Sequence, residues 1–251
     1  MTADPHHSPG STVRQAVEPV LEFRGVNAGY QLFRALFDVS FSVQPGTATA
    51  LIGPNGAGKT TVARVGSGLV APTSGAVFIG GQDMTGRRAH HFAAAGIAHA
   101  PEGRSVFSTL TVEENLVLSF RQRFGRTGVR DALERAVELF PRLGERRQQN
   151  AGSLSGGEQR MLTLARVLVM EPKLLIADEL SLGLAPIVTN EVYLVLQRIL
   201  AAGTALLVVE QHVEHALAIA SQVISMERGS VAFCGRPDEL DTSGSFLVSD
   251  A

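Results

Sequence analysis

The chain has 251 residues, 45% of them hydrophobic and 18% charged, with a formal net charge of −2. That length can bury a substantial core, in one large domain or two closely joined lobes. The near-neutral balance gives no basis for a nucleic-acid partner, and no apolar run approaches the ~20 residues needed to span a bilayer.

Met1 to Ala16 is polar and rich in Pro and His, without the apolar stretch of a secretory signal. It reads as part of a disordered tail over residues 1–17, with His6-His7 as a solvated pair rather than a metal site. The single cysteine, Cys234, excludes an intrachain disulfide and fits a reducing cytosol. Val20–Phe23 and Phe37–Val43 alternate like half-buried strands, and Ala76–Ile79 reads as another between Ser74-Gly75 and Gly80-Gly81. These predict an antiparallel lobe. Ala48–Ile52, Leu174–Ala177 and Ala205–Val209 are continuous apolar runs, suited to central parallel strands covered on both faces by helices. Thr111 to Met170 reads as mostly helical. Val112–Phe120 has helical spacing, and Asp131–Phe140 sets Ala132, Leu133, Ala136, Val137 and Phe140 on one face. Pro141 ends that helix or follows its last turn, and Gly125 to Gly128 reads as a basic loop.

Three segments carry chemistry. Gly53-Pro54-Asn55-Gly56-Ala57-Gly58-Lys59-Thr60-Thr61 fits G-x-x-x-x-G-K-[ST], after an apolar run and before a helix start. The glycines let several backbone N–H groups converge on a phosphate chain, and the helix start adds its positive end. Lys59 then reaches the β- and γ-phosphates and the Thr60 hydroxyl ligates Mg²⁺. Ser155-Gly156-Gly157 opens a helix over Glu158 to Val169. With Glu158 three residues on, Ser155 is either an ordinary capping box or a second anion site. One nucleotide does not need two γ-phosphate sites in one chain, so the second reading has two subunits facing each other, each offering Ser155 to the nucleotide on the other's Lys59. Leu174-Leu175-Ile176-Ala177-Asp178-Glu179 is a strand running into two acids at the edge of a parallel sheet where ligands bind. Asp178 there holds Mg²⁺ through its water shell, and Glu179 is placed to polarise the attacking water.

Together these segments resemble the ATP-binding subunits of ABC transporters, over nearly the whole chain from about Val20 to Leu240. The resemblance implies an α/β fold: a P-loop NTPase parallel-sheet core with an antiparallel β lobe and a helical subdomain inserted at about residues 103–170, in one ATP-binding domain over 18–251. Leu154–Glu158 looks like the family's signature motif, and Ile176–Glu179 like its second nucleotide motif with the catalytic glutamate. Tyr30 stands where the family stacks an aromatic ring on adenine; otherwise it is a surface turn residue. ATP and Mg²⁺ follow as cofactors, with Thr60, Glu102 and Asp178 toward the metal and Glu179, Lys59 and Gln211 catalytic. The implied partners are a second ATPase subunit, identical or related, then membrane permease subunits, and indirectly a solute-binding protein. The implied place is cytoplasmic, on the inner face of the plasma membrane.

Several positions depart from the family pattern. Glu102 replaces a Gln at the loop joining the two lobes, adding negative charge beside the γ-phosphate. Gln211 stands where the family has a His, and a hydrogen-bonding amide cannot become cationic; His212, one residue on, faces the other way. These imply a modest turnover. Leu180 replaces a Pro, which predicts a softer backbone under Glu179, and Ser181-Leu182-Gly183-Leu184 lacks the usual Asp. Ala100–Phe107, Thr111–Leu116, Ser181–Pro186 and Val209–Gln211 resemble the smaller ATPase of branched-chain amino acid importers. Close alternatives are the ATPase of a urea or short-amide importer, where Gln is usual in place of Glu102, and a non-transport ABC ATPase of repair or translation. Arg104 to Leu110 is expected to line a groove for a short permease helix, unless Phe107 is plain core.

Overall fold

The computed structural model describes residues 17–103, 105–211 and 213–240. The expected tail at 1–16, the expectations on Arg104 and His212, and the segment 241–251 lie outside the described residues.

Two sheets form the frame. The first is antiparallel, in the order β2-β1-β4-β5, from β1 (Leu21–Tyr30), β2 (Phe33–Val43), β4 (Ser74–Ile79) and β5 (Gln82–Asp83). The second has the order β10-β9-β3-β8-β7-β6, from β3 (Ala48–Ile52), β6 (Ile97–Ala100), β7 (Leu174–Asp178), β8 (Ala205–Glu210), β9 (Gln222–Glu227) and β10 (Ser230–Gly235). Its strands pair in parallel except for β10 on β9. The helices are α1 (Lys59–Gly66), α2 (Ala89–Ala94), α3 (Val112–Leu139), α4 (Pro141–Glu145), α5 (Gly156–Leu168), α6 (Pro186–Ala201) and α7 (Val213–Ile219).

The apolar runs form buried parallel strands because both sheet faces are covered. Alternate residues of β3, β7 and β8 serve different cores. Ala50, Leu175 and Leu206 join α3, α5 and α6, while Leu51, Ile176 and Leu207 pack toward α1 and the antiparallel sheet. All three strands are buried throughout. They aim their carboxyl ends, Ile52, Asp178 and Glu210, at one edge.

The strands at the N-terminal side run further than their alternation predicts. Gly25 and Gly29 break the pattern after Phe23, yet β1 continues to Tyr30 through register shifts. Gly25 takes φ +59 at this irregularity, which suits a bulge. The predicted loop at Gly125 to Gly128 is instead a single kink within α3, at Gly125 (φ 67, ψ −168). Phe140 leaves the helical region before the proline (φ −133, ψ 73), and Pro141 opens α4 at the helix position that tolerates it.

α3 to α5 lie between β6 and β7 in the chain and join the main core through Leu116, Phe120, Ala136 and Leu162. Phe120 is wholly buried. Phe120→Ala should lower stability by about 3–5 kcal/mol, read as a fall in the denaturant midpoint; a shift no larger than that of a surface substitution would contradict its place in this core.

Candidate active site

The phosphate loop leaves β3 at Ile52. Gly53 (φ +146) passes so close to the Met226 carbonyl that a Cβ would lie 2.3 Å from its oxygen. Gly58 (φ +100) is the N-cap of α1, and a Cβ there would meet the Ala35 carbonyl oxygen at 3.0 Å. Both positions need glycine for conformation and for space. No side chain caps α1 and no acid stands in its first turn, so its positive end faces the loop.

Lys59 is 3% exposed. Its Nζ donates to the carbonyls of Gly53 (2.7 Å) and Pro54 (3.1 Å) and lies 4.0 Å from Glu179 Oε1. Burial pulls its pKa down, while the charges of Glu179, Asp178 and Glu210 push it up. Tyr30, Asn55, Gly56, Ala57, Gly58, Thr60, Thr61, Glu102, Glu179 and Gln211 line the same cleft of about 430 Å³. Tyr30 is part-exposed, and Arg64 of α1 donates to its hydroxyl at 3.1 Å. Phe33, which sequence reasoning passed over, stands beside it in the wall.

Asp178 is 1% exposed and its Oδ1 has no hydrogen-bond partner among the described residues. Its Oδ2 lies 3.9 Å from His99 Nε2. The carboxylate stands behind the cleft lining rather than in it, close enough for its charge to act on Lys59. An orphaned buried carboxylate oxygen there fits a divalent cation. Glu102 is exposed at the cleft wall. Glu179 has left-handed backbone, φ 47, an uncommon conformation for a residue with a Cβ. Burial raises its pKa, Lys59 lowers it, and the charges of Glu102 and Asp178 raise it again. Leu180 is 1% exposed in the core. This residue, in place of the family's proline, anchors the chain next to Glu179 by burial.

Ser155, Gly156 and Gly157 do not line this cleft. Ser155 caps α5, accepting from Glu158 N at 3.3 Å and donating from Oγ to Glu158 Oε2 at 2.9 Å, and Glu158 pairs with Arg146 at 2.9 Å. Ser155 and Gly157 border a separate cleft with Arg142 and Val188. Gly156 abuts Leu184, and Gly157 lies hard against Val188 of α6. The capping box is present, and Ser155 and Gly156 are exposed. Phe107 is 48% exposed with Arg166 over its ring at 5.3 Å, so it is not plain core.

The ABC transporter family profile matches residues 36–181. The chain belongs to the ABC transporter family. It is a nucleotide-binding, ABC-type ATPase of a transport system. It is 39% identical to the high-affinity branched-chain amino acid transport ATP-binding protein BraG of Pseudomonas aeruginosa, over 84% of this chain and 91% of that protein. It is 37% identical to the probable branched-chain amino acid transport ATP-binding protein LivF of Archaeoglobus fulgidus, over 86% of this chain and 91% of that protein. Among solved structures, it resembles a nucleotide-free ATP-binding cassette from an ABC transporter, with a TM-score of 0.78, 25% identity, and 87% and 91% of the two chains covered. No helix among the described residues is long and apolar enough to cross a membrane.

Two residues near this ATPase cleft were not singled out from sequence. Glu210 continues the apolar run of β8 into an acid, the same signal that exposed Asp178. Arg160, on α5 two residues beyond Glu158, is 7% exposed. It donates to the Gly103 carbonyl at 2.6 Å and the Pro101 carbonyl at 3.4 Å, and to the Glu179 carbonyl at 3.3 Å. One guanidinium thus ties α5 to the loops carrying Glu102 and Glu179. Arg160→Met should leave nucleotide affinity little changed while lowering kcat by about tenfold or more. Arg160→Lys should recover only part, because an ammonium lacks the planar fork. Unchanged kcat in Arg160→Met would contradict this role.

Proposed function

We propose that the chain energises uptake of branched-chain amino acids, as the ATPase subunit that drives permease partners from the cytoplasmic face of the plasma membrane. The likeness to two proteins named for branched-chain amino acid transport, over most of this chain, supports that solute class. The observation that carries the chemistry is the convergence of Lys59, Asp178 and Glu179 at one sheet edge.

ATP binds with its phosphates in the loop from Gly53 to Thr61 and its adenine against Tyr30. The Thr60 hydroxyl, Asp178 and Glu102 would hold Mg²⁺, which when bound would supply neutralising charge for the phosphate chain. Glu179 accepts a proton from a water whose oxygen bonds to the γ-phosphorus as the bond to the bridging oxygen breaks, releasing ADP and phosphate. Lys59 stabilises charge on the transferring group. Gln211, which lines the same cleft, donates a hydrogen bond toward the γ-phosphate. Ser155-Gly156-Gly157 completes the site from a second subunit, identical or related, which explains why the motif stands on a separate cleft in its own chain. The helical segment at about residues 103–170 carries the motion to the permease, with the part-exposed Phe107 on the docking face.

Glu179→Gln should bind ATP but lose turnover; retention of the normal rate would overturn the assignment of the base. The pH profile tests the same group. Its carboxyl is raised above the ordinary carboxylate range, and the base works only when ionised. The rate is therefore full above the raised value and falls as pH drops through it. Glu102→Gln removes a neighbouring negative charge, so the acid limb of kcat/KM should move to lower pH. A limb that stays or moves up would contradict the electrostatic arrangement.

A further inference from the structure

Glu210 is a buried carboxylate to which the proposed reaction gives no task. It is 2% exposed and closes β8 one residue before Gln211. Its two oxygens take both donors of one residue: Oε1 accepts from Ser181 N at 3.2 Å and Oε2 from Ser181 Oγ at 2.8 Å. Burial pushes this carboxyl up, and the two Ser181 donors pull it back toward the ionised form. A neutral acceptor would not bind both donors as strongly as an ionised carboxylate.

What this pair holds is the turn beyond the proposed base. Glu179 N donates to the Val209 carbonyl at 2.9 Å, Leu180 is locked in the core, and Ser181 is clamped to Glu210. Three successive residues are thus fixed, and the first has φ 47. A positive φ at a residue with a Cβ persists only where its surroundings over-determine it. The loop after Ser181 reaches Leu184, which lies against Gly156. The clamp therefore joins the end of β8, where Gln211 enters the cleft, to the turn that carries Glu179 and to the approach of the Ser155 turn.

We propose that Glu210 is a positioning residue: by gripping Ser181 it holds the Glu179 carboxylate and the Ser181–Leu184 loop in fixed register with Gln211. This rests on Glu179 being the base, since the clamp acts through it.

The test uses the full chain, with kcat, the KM for ATP and the denaturation midpoint measured for Ser181→Ala, Ser181→Thr, Glu210→Gln and the Ser181→Ala/Glu210→Gln double variant. Ser181→Ala and Glu210→Gln should each lower kcat by about tenfold while KM stays close to its normal value, the loss expected when a reacting group is slightly misplaced. The double variant should be no worse than its worse component, because both break one clamp. Ser181→Thr, which keeps the hydroxyl, should restore most of the rate. If Glu210→Gln does not fold, the comparison of Ser181→Ala with Ser181→Thr decides alone. A normal kcat in Ser181→Ala, losses that multiply in the double variant, or a loss that only tracks the folded fraction would overturn the proposal. Those results leave the base intact if Glu179→Gln is inactive, whereas an active Glu179→Gln removes the base itself.

Discussion

A buried ammonium facing a cluster of carboxylates is the constraint on which the site depends. An isolated charge at the burial of Lys59 would be prohibitively costly, so it needs partners on every side. The carbonyls of Gly53 and Pro54 accept hydrogen bonds from it, and the field of Glu179, Asp178 and Glu210 favours its charge. The same acids would repel a phosphate chain if nothing else were present. In the proposed reaction the loop N–H groups, the helix end and a divalent cation on Asp178 offset that repulsion. Glu179, pushed toward the neutral form by burial and by its acidic neighbours, becomes a stronger proton acceptor once it is ionised.

The sheet makes this arrangement precise by placing the loop, the acid pair and the end of β8 on three adjacent strands. Register then carries over into position: Asp178 pairs alongside Val209, and Ile52 alongside Glu210. Beyond the strand ends, side chains take over from the ladder. Arg160 bonds to the carbonyls on either side of Glu102 and to that of Glu179, and Asn115, wholly buried, bonds to Phe107 and Leu110 in the loop before α3. A rotation of α5 is therefore felt directly at both loops. That is the physical link the proposed coupling needs between the helical segment and the chemistry.

Much of the centre was legible because each part has a local cause. The glycines at 53 and 58, the lysine after them and the acids after β7 are demanded by geometry that a few consecutive residues encode. The long β1 was not legible, because Gly25 and Gly29 look like strand breakers until the bulge and the neighbouring hairpin are seen. Two glycines in a basic stretch suggest a loop at 125–128, but one residue with positive φ, Gly125, is enough to redirect the helix without ending it. Arg160 and Glu210 were missed for a different reason. Their partners, Gly103 and Ser181, lie 57 and 29 residues away in the chain, and no local pattern announces such pairs. Phe107 could not be divided between core and surface from spacing alone; its half-exposed ring decides it.

The central claim is that one γ-phosphate is held from two subunits, by the Lys59 loop of one and the Ser155 turn of the other. Sedimentation of the Glu179→Gln chain, alone and mixed with a second ATPase subunit, tests it most directly. Association should appear with ATP and Mg²⁺, be absent with ADP, and be lost when Ser155→Glu places a negative charge at the shared phosphate. No association under any of these conditions, or association that ignores the nucleotide or survives Ser155→Glu, would contradict the claim.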